Sequence, residues 1–172
     1  VPEATAAVHC GLRTLTFAIV TGRCLADALK PANVANIIAN AKAISTAVAS
    51  AGVRVVSGGT DNHLYLNALR SVDEELTGRD AARLLSTVGI TLNFNTIPFD
   101  PRPPYRASGL RIGLPAATTC GMKEAQVEEV GRLLATALQQ RSDPSALERV
   151  RSRIGELAAT FPAYPADFPG HV

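Results

Sequence analysis

The residues of this 172-residue chain best suited to chemistry lie on one short run, Gly109-Leu110-Arg111-Ile112-Gly113. Side chains on a strand alternate between its faces, so Arg111 is expected opposite Leu110 and Ile112, away from the apolar side. Gly109 and Gly113 share its face, which predicts space for a ligand or another backbone to approach the guanidinium. Such a planar fork suits a carboxylate held by two parallel hydrogen bonds. By residue type alone, an ordinary surface or ion-pair arginine is the commoner reading, since most arginines are exposed. Asn93 and Asn95 bracket Phe94 just before a proline-rich stretch, where an amide at a strand end could hydrogen-bond a heterocycle; a turn-forming asparagine is the plain alternative. His63 could be a ligand or acid-base group, and a hydrogen-bonded structural histidine is the simpler account. Cys120 reads as a core thiol and Asp73-Glu74-Glu75 as a solvated turn.

The self-contained catalytic sets are missing from the sequence. It has no Walker-type phosphate loop, no HExxH and no GxSxG, and its three histidines are far apart. Three cysteines without a CxxC pair imply neither a disulfide framework nor a zinc site. A formal charge of +2, with basic residues scattered and not interleaved with aromatics, argues against a nucleic-acid partner. With 47% hydrophobic and 19% charged residues the composition is that of a globular domain with a hydrophobic core. No run of about 18 apolar residues and no signal-peptide pattern is present, which sets the expectation of a cytoplasmic protein without a membrane partner.

Several elements must position these residues. Residues 4–30, apolar nearly all round, predict a long or broken helix packed on more than one side. Residues 33–50 place Val34, Ile37, Ile38, Ala41, Ile44 and Val48 at helical spacing, with Gly52 as the stop. Strands are expected over 53–57 and 63–69, around the turn Gly58-Gly59-Thr60-Asp61-Asn62. A helix over 78–87 starts with Thr77 and Asp80 in a capping-box arrangement and closes at Gly89. Strands over 90–93 and 109–113 flank the proline-rich loop, and amphipathic helices over 122–140 and 143–160 finish the chain, the last with Asp143 as N-cap and Pro144 at its first position. The expected architecture is α+β, a small antiparallel sheet covered by helices. It divides into an apolar N-terminal segment, 1–32, and a main domain, 33–172.

Three longer motifs carry a resemblance. They are Val55-Val56-Ser57-Gly58-Gly59-Thr60-Asp61-Asn62-His63-Leu64, then Gly89-Ile90-Thr91-Leu92-Asn93-Phe94-Asn95-Thr96-Ile97-Pro98-Phe99-Asp100-Pro101, then Ser108-Gly109-Leu110-Arg111-Ile112-Gly113 with Pro115-Ala116 and Thr118-Thr119. In this order they resemble serine hydroxymethyltransferase, nearly continuously over residues 40–164, and Phe161-Pro162-Ala163-Tyr164 is similar to that family's C-terminus. The resemblance implies the C-terminal small domain of a fold-type I pyridoxal-phosphate enzyme that moves a one-carbon unit between serine and tetrahydrofolate. It also implies that Arg111 grips the amino-acid carboxylate, that Asn95 contacts folate or another acceptor, and that the turn before His63 is a fold signature. In two places the chain departs from the family: Phe94 stands where a lysine is usual, and Cys120 where an arginine is common. Both changes remove positive charge expected on the folate side.

The family's large domain supplies the cofactor-bearing lysine, and none of Lys30, Lys42 or Lys123 has that lysine's sequence context. The expectation is therefore the small subunit of a split, hetero-oligomeric enzyme. Its pyridoxal phosphate would sit on a partner large-domain chain, its reaction would be serine/glycine one-carbon transfer or a related aldol-type reaction on an amino acid, with tetrahydrofolate a possible acceptor, and residues 1–32 would pack on that partner. The alternatives are a non-catalytic module that regulates a full-length homologue, or a fragment of one longer enzyme, which the start at Val1 keeps open.

Overall fold

A computed structural model of the chain describes residues 15–16 and 30–162. Strand β1 (Leu15–Thr16) is followed by helix α1 (Pro31–Ser50), β2 (Leu64–Ala68), a 3-10 turn (Leu69–Ser71) and α2 (Gly78–Thr87). Then come β3 (Ile90–Thr91), β4 (Asn93–Asn95), β5 (Gly109–Gly113), the short α3 (Pro115–Thr119), α4 (Glu124–Gln139) and α5 (Pro144–Thr160). The expected α+β architecture is present. β5 is the central strand of a three-stranded antiparallel sheet in the order β2-β5-β4, and helices cover the face that carries Tyr65, Leu110 and Ile112.

Helix α1 opens with Pro31 at its first position, where a missing N–H costs nothing and the ring presets φ. Its buried stripe, Ile37, Ala41, Ile44 and Val48, packs on α4, and the left-handed Gly52 (φ +87°) ends the run. Gly131 makes the close approach possible. A Cβ there would lie 3.0 Å from Ile44 Cγ1, 3.2 Å from the Ile44 carbonyl oxygen and 3.2 Å from Val48 Cγ2. Asn40, also buried on α1, donates from Nδ2 to Thr118 Oγ1 and to the Met122 carbonyl, both at 2.9 Å, tying α1 to the end of α3. Thr77 caps α2 through its hydroxyl to the Asp80 N–H, and Asp143 caps α5 through its carboxylate to the Ser145 N–H. The Tyr65 hydroxyl is buried without a hydrogen-bond partner, and burial pushes its pKa far up, so the side chain stays neutral.

Several expectations are corrected. Leu15 and Thr16 are not helical; they form a parallel pair with Ile90 and Thr91, because the Leu15 N–H finds the Gly89 carbonyl at 2.8 Å and its side chain enters the core at 5% exposure. The rest of segment 1–32 up to residue 29, and residues 163–172, lie outside the described residues. Residues 53–57 form no strand. Val55 makes one bridge to Asn67, after which a tight turn, with the Gly58 N–H on the Val55 carbonyl, carries the chain away. The strand expected over 90–93 is divided at buried Leu92, where the chain leaves its pairing with β1 and joins β5. Val34 lies at the exposed start of α1, not inward, and the helix Pro115–Thr119 went unforeseen although Pro115 occupies a favoured first position. Among the described residues no helix is long and apolar enough to cross a membrane.

The contact at Gly131 gives a direct test. Gly131→Val adds carbons where Ile44 and Val48 already sit, so stability is expected to fall by about 1–3 kcal/mol. Urea unfolding should show a lower midpoint at an unchanged slope.

Candidate functional site

β5 is hydrogen-bonded on both edges, with Arg111 opposite Leu66 on β2 and Asn93 on β4. Leu110 and Ile112 are both fully buried in the core, which turns Arg111 onto the other face, where it is half-buried. That face also carries Leu64, Leu66, Ala68, Asn93 and Asn95 by register and alternation. Of the described arginines only Arg102, Arg111 and Arg141 are half-buried. Arg102 donates to Leu76, Glu74 and Ser108, and Arg141 pairs with Asp73. Arg111 has no hydrogen-bond or ion-pair partner among the described residues. A guanidinium removed from part of its water without a fixed counter-charge is poised to take an anion, and its fork geometry favours a carboxylate.

The face is built differently from what the sequence implied. The space over Gly109 is not open: a Cβ there would lie 2.4 Å from Ile97 Cγ2 and 2.9 Å from the carbonyl oxygens of Asn67 and Asn95. Ile97 therefore folds over the glycine and forms a wall two residues from Arg111. Asn93, directly opposite Arg111, is the nearer of the two asparagines, while Asn95 pairs with Gly109, a diagonal step of about 7–8 Å in Cα terms. The Asn95 amide donates to the Thr96 carbonyl at 2.9 Å. Phe94 alternates to the opposite face, where its Cβ would lie 3.0 Å from a Cβ on Gly78, so it does not share the Arg111 face. That Asn93 shares a face with Asn95 follows from their parity, but only the strand register shows which of the two lies opposite the arginine.

The loop between β4 and β5 is held by a carboxylate that sequence reasoning missed. Asp100 accepts the backbone N–H groups of Ser108 at 2.8 Å, Arg102 at 3.0 Å and Ile97 at 3.3 Å. Burial acts to raise its pKa, but the Ser108 hydroxyl and these three N–H donors outweigh it and hold the carboxyl below its ordinary 3.8. The signal was present as an Asp followed by Pro inside a loop, a pattern shared with many plain turns.

His63 is exposed just before β2, with its carbonyl accepting from the Leu114 N–H. Cys120 is half-buried at the end of α3 and is not a fully enclosed core thiol. Nor is the Asp73-Glu74-Glu75 turn simply solvated: Asp73 binds Arg141, and Glu74 pairs with Arg70 at 3.5 Å. The lysines do not assemble a cofactor site. Lys42 is exposed and paired with Asp61 at 3.3 Å, Lys123 is exposed before α4, and Lys30 is exposed at the start of α1. None is buried in an apolar pocket, the setting that a covalent lysine needs, so the described residues do not fit pyridoxal phosphate.

Fold and site together define an α+β domain whose sheet presents one half-buried guanidinium without a side-chain partner among the described residues. The family model described as serine hydroxymethyltransferase matches residues 14–134, well over half of the chain, and the chain belongs to that family. The chain is 46% identical over 162 residues to a serine hydroxymethyltransferase of Synechococcus sp. (strain JA-3-3Ab), covering 86% of this chain and 37% of that protein. It is 46% identical over 151 residues to the enzyme of Myxococcus xanthus (strain DK1622), covering 85% and 36%, and 43% identical over 145 residues to that of Koribacter versatilis (strain Ellin345), covering 83% and 34%. The chain thus spans little more than a third of the length of these relatives.

Two outcomes follow from the geometry. Gly109→Ala must displace Ile97 and press on two carbonyl oxygens that the ladder holds in place, so a loss of about 1–3 kcal/mol in a urea titration is expected. Asp100, with its folded pKa depressed, adds stability that is complete above its ordinary value and lost as pH falls through the folded value. Between pH values of about 6 and 3, the wild-type urea midpoint should drop further than that of Asp100→Asn.

Proposed function

We propose that this chain supplies the carboxylate-binding half of a serine hydroxymethyltransferase-type active site, whose pyridoxal phosphate is held outside these 172 residues on a large-domain chain. The observation that carries the reading is Arg111, the one half-buried arginine without a partner among the described residues. The bound group is the α-carboxylate of an amino acid, held bidentately, with Asn93 opposite the arginine and Asn95 one diagonal step away to meet folate or another acceptor. When bound, the cofactor supplies the electron sink for one-carbon exchange at the amino acid's α-carbon. This chain's part is to orient the substrate by its carboxylate and to wall one side of it with Ile97.

The share of the relatives that the chain spans supports a cofactor-bearing portion elsewhere, and it fits equally a piece of one longer enzyme. Purification from the native source separates the two arrangements. A distinct yellow chain co-eluting with this one supports the split, hetero-oligomeric form, and a single polypeptide carrying both portions supports the other.

Arg111 is tested in the assembled enzyme. Arg111→Ala is expected to lower kcat/KM for the amino acid by about a hundredfold, equivalent to roughly 3 kcal/mol. Arg111→Lys should recover only part of the loss, because a point charge replaces a fork. Sedimentation should show assembly intact in both variants, and unchanged amino-acid turnover in Arg111→Ala would sink the assignment.

A further inference from the structure

We propose that Asp100 is a positioning residue for the Arg111 site, acting as a carboxylate clamp that closes the β4–β5 loop and seats Ile97 over Gly109, on the sheet face that carries Arg111. The step rests on the reading of Arg111 given above, but its geometry stands on this chain alone. Oδ2 of Asp100 receives the Ile97 N–H at one end of the loop and the Ser108 N–H at the other, while Oδ1 receives the Arg102 N–H. Ile97 is the residue that folds over Gly109, and Ser108 is the residue that leads into it. One side chain therefore fixes both the wall beside Arg111 and the entry of the strand that carries it.

Arg102 completes the clamp. Its Nη1 donates to Ser108 Oγ at 3.2 Å and to the Leu76 carbonyl at 3.0 Å, and its Nη2 donates to the Glu74 carbonyl, so the loop is anchored to the segment leading into α2. Two non-glycine residues in the loop are left-handed, Phe99 at φ +57° and buried Ala107 at φ +51°. Side chains avoid that conformation unless surrounding contacts over-determine it. Phe99 directly precedes Asp100, and Ala107 directly precedes Ser108, so both strained residues sit next to the clamp's own contacts.

The clamp is tested in the full chain by the Nε–Hε resonance of Arg111 and by amide hydrogen exchange. Asp100→Ala is expected to shift the Arg111 resonance and to speed exchange at Ile97, Arg102 and Ser108 by about tenfold or more, with α4 and α5 amides unchanged. Asp100→Asn, which keeps one acceptor oxygen, should do the same to a smaller extent, and it serves as the test if the alanine variant does not fold. In the assembled enzyme Asp100→Ala should raise KM for the amino acid about tenfold with kcat within about threefold, the split expected when binding alone is lost. An unmoved Arg111 resonance in both variants overturns the proposal, as does an unchanged KM where Arg111→Ala raises it. If Arg111→Ala leaves KM unchanged, the functional reading fails and the resonance alone decides whether Asp100 positions Arg111.

Discussion

The structure depends on one strand that cannot rotate. β5 is hydrogen-bonded to β2 on one edge and to β4 on the other, and Leu110 and Ile112 are sealed in the helical layer. A strand has two faces, so burying the even-numbered residues leaves Arg111 one place to go. A register slip by one residue would bring the guanidinium into the core and two large aliphatic chains out of it, a change that the ladder on both edges and the burial of both side chains oppose together. The position of the functional group is thus held by hydrophobic free energy with no dedicated contact to the guanidinium itself.

The helices serve that strand. α1 and α4 meet closely where Gly131 removes a side chain, and Asn40 holds α1 against the turn after α3 by two hydrogen bonds. α5 rests on α4, with Arg153 gripping Glu129 through Nε and Nη2, an exposed pair of small energetic weight. Behind the sheet the result is a single apolar core that contains residues of β1, β2, β3 and β5 as well as the helices. The opposite face of the sheet carries half-buried Arg111 beside Leu66 and Asn93, and the loop tied back by Asp100 and Arg102 brings Ile97 over Gly109 there. The chain that carries this face spans about a third of its relatives' length.

Much of this was legible beforehand. The helices over α1, α2, α4 and α5 could be read from apolar spacing and from Pro31, Thr77, Asp143 and Pro144, because caps and periodicity are local and need no knowledge of the partner surface. The extent of β5 and the direction of Arg111 followed from alternation alone. The failures were also physical. Residues 53–57 have β-branched side chains, yet their ladder partner is lost after one bridge, and Leu15–Thr16 have a helix-compatible context, yet the free edge of Ile90–Thr91 captures them. Strand formation depends on a partner that may lie tens of residues away, which is why these were the weakest expectations.

The same division runs through the site. Sequence by itself determined that Arg111 faces away from the core and belongs to a family motif, since both are properties of a short run of residues. Tertiary structure decided that it has no counter-ion among the described residues, that Asn93 and not Asn95 lies opposite it, and that Ile97 fills the space over Gly109. It also decided that Asp100 joins the two ends of the loop. The last three are meetings between residues that the chain holds apart, and only the folded register, which sets which backbone lies against which, brings them together.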